Sequence, residues 1–118
     1  MTIHTLSATS LIDTNVVNKQ GEDIGELEEL MIDLNSGRVS YAVLSFGGFM
    51  GMGDKLFAIP WQAFTVDTDE EQLILNVEKE TLKNSEGFDK NNWPDFSNPD
   101  WHRRTYAYYG YTYEPQLA

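Results

Sequence analysis

The chain predicts a mostly β fold: a small antiparallel β-barrel or sandwich of about six short strands, with a short helix and an aromatic-rich C-terminal extension. Three observations carry this. The stretch Arg38–Trp61 holds two runs rich in β-branched and aromatic residues, Val39–Phe46 and Leu56–Ile59, around a loop containing Gly47, Gly48, Gly51 and Gly53. Both runs are apolar at odd and at even positions, so Val39, Tyr41 and Val43 point one way and Ala42, Leu44 and Phe46 the other. A strand apolar on both faces has to be covered on both. Turn signals then recur about every ten residues, the spacing of small all-β domains. Finally, the composition changes sharply after residue 78.

Taken in order, Ser7, Thr9 and Ser10 precede Leu11-Ile12-Asp13, a candidate capped helical turn. Thr14–Lys19 reads as a short strand ended by the turn Gln20–Asp23. Ile24–Leu34 follows with a shifting pattern, Gly25 and Leu27 on one parity and Leu30, Ile32 and Leu34 on the other. One extra residue near Glu28-Glu29 would put Leu27 and Leu30 on a common face, which is the effect of a β-bulge. A helix competes here, because GELEELMID uses good helix formers; the strand is preferred for the turn signals that follow. Asn35-Ser36-Gly37 is a tight turn, so Ile24–Leu34 and Arg38–Phe46 should pair antiparallel. Pro60 ends the pairing of Leu56–Ile59, having no N–H for a ladder. Phe64–Asp67 and Leu73–Val77 flank the acidic turn Thr68–Gln72.

The order of these pieces resembles a known family. A Ser/Leu-Ile turn, GEDIGEL at 21–27, IDLNSGRVSYAVL at 32–44, a glycine loop, FAIPW at 57–61 and LILNV at 73–77 are similar to the PRC-barrel family. That family is named after a domain of the photosynthetic reaction-centre H subunit and is shared with ribosome-maturation factors. The resemblance runs from about Ser7 to Leu82, and its most specific pieces are Gly25, the Asp33–Gly37 turn and Ile59-Pro60-Trp61. These are scaffold features, so no catalytic residue is carried over. The resemblance implies a non-enzymatic adaptor that binds protein.

Residues 1–83 are therefore expected to form the PRC-barrel-like domain and 84–118 an extension packed on the barrel or on a neighbouring subunit. Glu78–Asn84 is a short polar helix with Lys79 and Lys83 four residues apart on an exposed face. Nine of the fifteen aromatic residues fall in 79–118, among them Trp93, Trp101 and Tyr109. Asn98-Pro99 looks like an N-cap with proline at the first helical position, and Gly110 like the residue after a helix end, framing a helix near Pro99–Tyr109. This tail resembles extensions on stand-alone bacterial PRC-barrel proteins.

Charge and composition exclude several function classes. The formal charge of −11 is concentrated in residues 1–78, which hold three bases against thirteen acids. Such a surface repels phosphate, so direct nucleic-acid contact and anionic membranes are poor expectations. No apolar run approaches the ~20 residues of a spanning helix, and the first residues do not read as an export signal. The lack of cysteine removes disulfides, thiol catalysis and zinc–thiolate sites and fits the cytoplasm.

Candidate chemistry is sparse. Asp67, Asp69, Glu71 and Glu78 stand at positions 1, 3, 5 and 12 of a calcium-loop register, but Gln72 occupies the position that needs glycine. The stretch reads as a solvated hairpin turn. His4 and His102 are far apart in sequence with no ligand at metal spacing, and His102 reads as a partly exposed helix residue. The glycine loop lacks the GK[ST] ending of a phosphate cradle. Phe49, Met50 and Met52 at its tip either pack over the barrel end or meet a partner, since methionine surfaces adapt to many ligands. No cofactor or metal is expected, and no nucleophile–base motif is present. The expected role is thus an adaptor, with homodimers favoured by the apolar strands and aromatic excess. Its possible contact residues are Phe49, Met50, Met52, Trp93, Trp101 and Tyr109. The rival is a regulatory domain that binds a small ligand or divalent metal through the glycine loop or acidic turn.

Overall fold

The computed structural model describes residues 5–46 and 55–114. One helical turn, α1 (Ala8–Leu11), opens the chain, and Ser7 caps it by accepting the Ser10 N–H at 3.3 Å. Then come β1 (Asn15–Asn18), β2 (Asp23–Asp33), β3 (Arg38–Phe46) and β4 (Lys55–Pro60). A 3-10 turn at Trp61–Ala63 leads into β5 (Phe64–Asp67) and β6 (Gln72–Leu75). Two helices follow, α2 (Lys79–Lys83) and α3 (Pro99–Tyr108). The helical alternative for Ile24–Leu34 is thereby settled in favour of the strand.

The six strands form one sheet in the order β4-β3-β2-β1-β6-β5. Two features correct the expected closed antiparallel barrel. β1 and β6 run parallel, and β4 and β5 are the two edges of the sheet, with no ladder between them among the described residues. The edges are nonetheless joined by only the three residues Trp61–Ala63, so the sheet curls strongly. The β4 edge is already paired at one residue. The outer N–H and C=O of Leu56 in β4 are both taken by Phe88, at 2.9 and 2.8 Å. An edge paired in this way offers nothing at that residue to a closing strand.

Turn chemistry sets the registers. Asn18 is 3% exposed and staples the β1–β2 turn: its Oδ1 accepts the Gln20 and Glu22 N–H groups, and its amide donates to Glu22 at 2.7 Å. Asp33 does the same for the β2–β3 turn, accepting from Asn35 N–H and the Ser36 hydroxyl. Between these turns, Leu27 faces Leu44 while Glu29 faces Val43, so Glu28 is the extra residue of a bulge. That bulge turns both Leu27 and Leu30 toward the inner core.

The curled sheet encloses one core on its inner face. Val16, Ile24, Leu27, Ala42, Leu44, Phe46, Phe57, Ile59, Leu73 and Leu75 come from five of the strands, and Leu82 of α2 closes one end. Fully burying an aliphatic or Phe side chain contributes about 1.5–3 kcal/mol, so these contacts dominate stability. β3 is central to both layers. Its other face carries Tyr41, which with Ala58 and Tyr106 forms a second cluster flanked by Met31, Phe88, Phe96, Trp101, Tyr111 and Tyr113. Most of that cover comes from beyond residue 84.

α3 has clear stops. Asn98 Oδ1 accepts the Asp100 N–H at 3.0 Å, with Pro99 in the first turn. At the far end Gly110 has φ +88°, its N–H reaches Ala107 O at 3.0 Å, and the Tyr111 N–H reaches Tyr106 O at 2.9 Å. These are the paired bonds of a Schellman ending. The ring-bearing residues before and after this ending are thereby fixed in direction over the sheet.

Gly25 combines a steric constraint with a positive φ of +157°, whereas Gly21 has the dihedral constraint alone. A Cβ on Gly25 would overlap the Ser45 carbonyl oxygen of β3, which is backbone and cannot swing aside. Gly21 has φ +81° but open space around it. Gly25→Ala is expected to cost about 3 kcal/mol or more, and Gly21→Ala about 1–2 kcal/mol for the left-handed backbone alone. Denaturant unfolding of the two variants measures the order; equal losses would place the constraint at Gly25 in its dihedral rather than in strand packing.

Candidate functional site

α3 is a ridge with a groove on each side. The spacing WHRRTYAYY places His102 and Tyr106 four residues apart on one face, and Trp101, Thr105, Tyr108 and Tyr109 on another. His102 and Tyr106 face the first groove, about 780 Å³, whose other wall includes Met31, Val39 and Trp61. Trp101, Tyr108 and Tyr109 face the second, about 540 Å³, shared with the segment Ser85–Asp95.

On the first side, the contacts hold α3 to the sheet. His102 is 9% exposed and uses both ring nitrogens: Nε2 is 2.6 Å from Phe96 O and Nδ1 is 2.6 Å from the Tyr41 hydroxyl. A carbonyl only accepts, so Nε2 carries hydrogen, and in the neutral ring Nδ1 then accepts from Tyr41. The imidazole stacks on Tyr113 with centroids 4.7 Å apart, and Tyr106 donates to Ser40 O at 3.2 Å. His102 is therefore a buried clamp and not the partly exposed residue expected from its Arg103-Arg104 neighbours. The i, i+4 pairing with Tyr106 was the signal that marked the buried face. Burial, with lesser contributions from the phenols of Tyr106 and Tyr113, pushes the Tyr41 phenol far above its ordinary value.

The second groove differs, because two of its rings keep a large face in solvent. Trp93 is 39% and Tyr108 45% exposed. Each is nonetheless fixed by its polar end: the Trp93 indole N–H donates to Lys90 O at 2.8 Å and the Tyr108 hydroxyl to Thr81 O at 2.7 Å. Trp93 leans on Phe88 at 5.0 Å, and Tyr108 meets Tyr109 edge-on at 5.0 Å. Trp101 packs against Tyr41 at 5.3 Å and Phe96 at 5.0 Å, so it anchors the floor. The walls of this groove are thus aromatic faces whose donors are already satisfied. At its base, Gly87 sits so close that a Cβ would lie 2.8 Å from Leu56 O and from the Phe57 ring.

Of the contact residues read from the sequence, Trp93, Trp101 and Tyr109 are brought together on this one groove. Phe49, Met50 and Met52 lie outside the described residues, as do His4 and the rest of the glycine loop. Tyr108, more exposed than any of the three placed together, was not singled out. Its position in a run of four tyrosines within six residues gave no hint of which ring faces water. In the acidic turn, Asp67 accepts from Glu70 N–H at 3.2 Å and from the Gln72 amide at 3.3 Å. Among the described residues no group of three His, Asp or Glu side chains is placed to hold a metal ion. No helix among them is long and apolar enough to cross a membrane.

The buried phenols make stability pH-dependent in the alkaline range. Burial, partly offset by a hydrogen bond with Ser85, pushes Tyr109 up to about 12, and burial also raises Tyr106. Above the ordinary tyrosine value near ~10 the unfolded chain releases protons that the folded chain retains. The stabilisation is complete below that pH and is lost as pH rises through about 12. The denaturation midpoint should therefore fall between pH 10 and 12, and fall less in Tyr109→Phe; a midpoint flat across that range would contradict the burial of these rings.

No curated protein sequence matches the chain. A family model does: the PRC-barrel domain, over residues 4–82, two thirds of the 118 residues. That span takes in all six strands, the curled inner core, one wall of the first groove and most of α2, and stops before α3 and the Ser85–Asp95 side of the second groove. With the strand order, the Gly25 contact and the Ile59-Pro60-Trp61 corner accounted for, the chain belongs to the PRC-barrel domain family.

Proposed function

We propose that this PRC-barrel chain is a non-enzymatic adaptor of the cytoplasm that binds another protein. The observation that carries the reading is the pair of solvent-exposed but hydrogen-bonded rings, Trp93 and Tyr108, on the second groove. Exposed aromatic side chains with fixed orientation lose little freedom on binding, and Trp and Tyr are the residues that dominate interface energetics. A non-catalytic role is supported by the use of the buried Tyr41–His102 pair, which is spent on clamping α3. The family fold alone is only an analogy for function.

The adaptor is proposed to act as a homodimer. Ile32, near the end of β2, is 49% exposed and Leu34, in the turn after it, 91%, both beside the first groove. A projecting apolar side chain next to an open groove on the same face is self-complementary, which a two-fold interface requires.

Two measurements test the reading. Affinity capture from the native cell should return a partner that is lost with Trp93→Ala and with Tyr108→Ala. Capture unaffected by both, or a purified protein carrying a bound metal or small molecule, would favour a ligand-binding regulatory role instead. Light scattering behind size exclusion should give a dimer mass at micromolar concentration and a monomer mass for Leu34→Asp. A monomer mass for the wild type across dilution would remove the dimer.

A further inference from the structure

We propose that the groove between α3 and the Phe88–Pro94 segment binds a proline-rich peptide flanked by Lys or Arg, an assignment that rests on the adaptor reading and names its class of partner. The first argument is what the rings offer. Trp93 and Tyr108 have given their N–H and O–H to backbone carbonyls of Lys90 and Thr81, so only their π faces point outward. A ligand suited to such faces brings flat C–H surface and asks for no bond to the ring heads. Proline rings in a polyproline II segment do this, and the segment is already extended before it binds.

The second argument is donor and acceptor balance. Proline has a carbonyl and no N–H, so a proline run presents acceptors alone and needs donors from its site. The groove supplies them from Arg104 and Asn92, whose side chains make no hydrogen bond among the described residues.

Charge gives the flanks. Glu86, Asp89 and Asp95 line the same groove with Lys55 and Arg104, three acids against two bases, and the ion pairs Lys83–Glu80 and Arg103–Asp100 involve none of the three acids. Hydrogen bonds from the Ser97 hydroxyl and N–H keep the Asp95 carboxyl ionised below its usual range. On a chain of net charge −11, basic flanks are attracted and acidic ones repelled.

The test titrates the full chain with three synthetic peptides and follows backbone amide shifts by NMR. The peptides are six prolines flanked by Lys-Lys, the same run flanked by Glu-Glu, and a Lys-flanked Gly/Ser run. The Lys-flanked proline peptide should bind saturably, with a Kd of about 10⁻⁴ M or tighter. Shifts should map to Trp93, Trp101 and Tyr108, and affinity should weaken with salt. Trp93→Ala should lose at least about tenfold in affinity. Tyr108→Phe keeps the ring but frees it from Thr81, and a smaller loss, about twofold to fivefold, is expected because only preorganisation is removed. No saturation at millimolar peptide, equal binding of the Glu-flanked or Gly/Ser peptides, shifts elsewhere on the molecule, or an unchanged affinity in Trp93→Ala would each overturn the assignment. So would binding of chitohexaose in the same groove without binding of the proline peptide. If the peptide fails while Trp93-dependent capture of a cellular protein persists, the proline assignment falls and the adaptor reading stands.

Discussion

β3 is the strand that the remainder of the chain must cover. From Tyr41 to Phe46 every residue is buried, and alternate side chains go to opposite faces. Leaving either face in water would expose large apolar surface, so each needs its own layer. The inner face is enclosed by the curling of the sheet itself, with α2 as a plug. Among the described residues no strand meets the outer face, which is closed by the Phe88 bridge, α3 and the rings after Gly110. Tyr41 makes the second layer specific. Its hydroxyl must be satisfied once buried, and His102, held in turn by the Phe96 carbonyl, satisfies it.

This arrangement links packing to function. The outer-face residues cannot be replaced freely, because they hold α3 in place. Helix α3 in turn aims Trp101, Tyr108 and Tyr109 into the second groove, while His102 and Tyr106 face the sheet. The two sides of one helix thus divide the work: the clamp side is hydrogen-bonded and buried, and the groove side presents fixed, half-exposed aromatic faces. The family match ends at residue 82, so the second groove is built mostly from residues beyond the matched scaffold, set against β4. A shared barrel carrying a particular extension is a direct way to give one fold its own binding surface.

Much of the scaffold was legible because it depends on local chemistry. The Asp33–Gly37 turn, the bulge at Glu28 and the Asn98 and Gly110 ends of α3 all follow from residues within a few positions of one another. Two-sided burial of β3 followed from its continuous apolar pattern, and the family followed from the order of these same pieces. Barrel closure was different. Strand count and spacing say nothing about which edge meets which, and the edge at Leu56 was claimed by Phe88, thirty-two residues away.

The sequence by itself determined the β class, the strand boundaries to within a residue or two, the family and the aromatic character of the tail. Each is written in periodicity, turn residues or composition, which act over short stretches of chain. Only the tertiary structure decided that β1 and β6 run parallel, that the sheet stays open, and that His102 is a buried clamp. It also decided which aromatics keep a face in water. Trp93, Trp101, Tyr108 and Tyr109 have similar chemistry and similar surroundings in the chain. Their separation into floor and wall arises from the phase of α3 over the sheet and from carbonyls of Lys90 and Thr81 that no local pattern brings within reach.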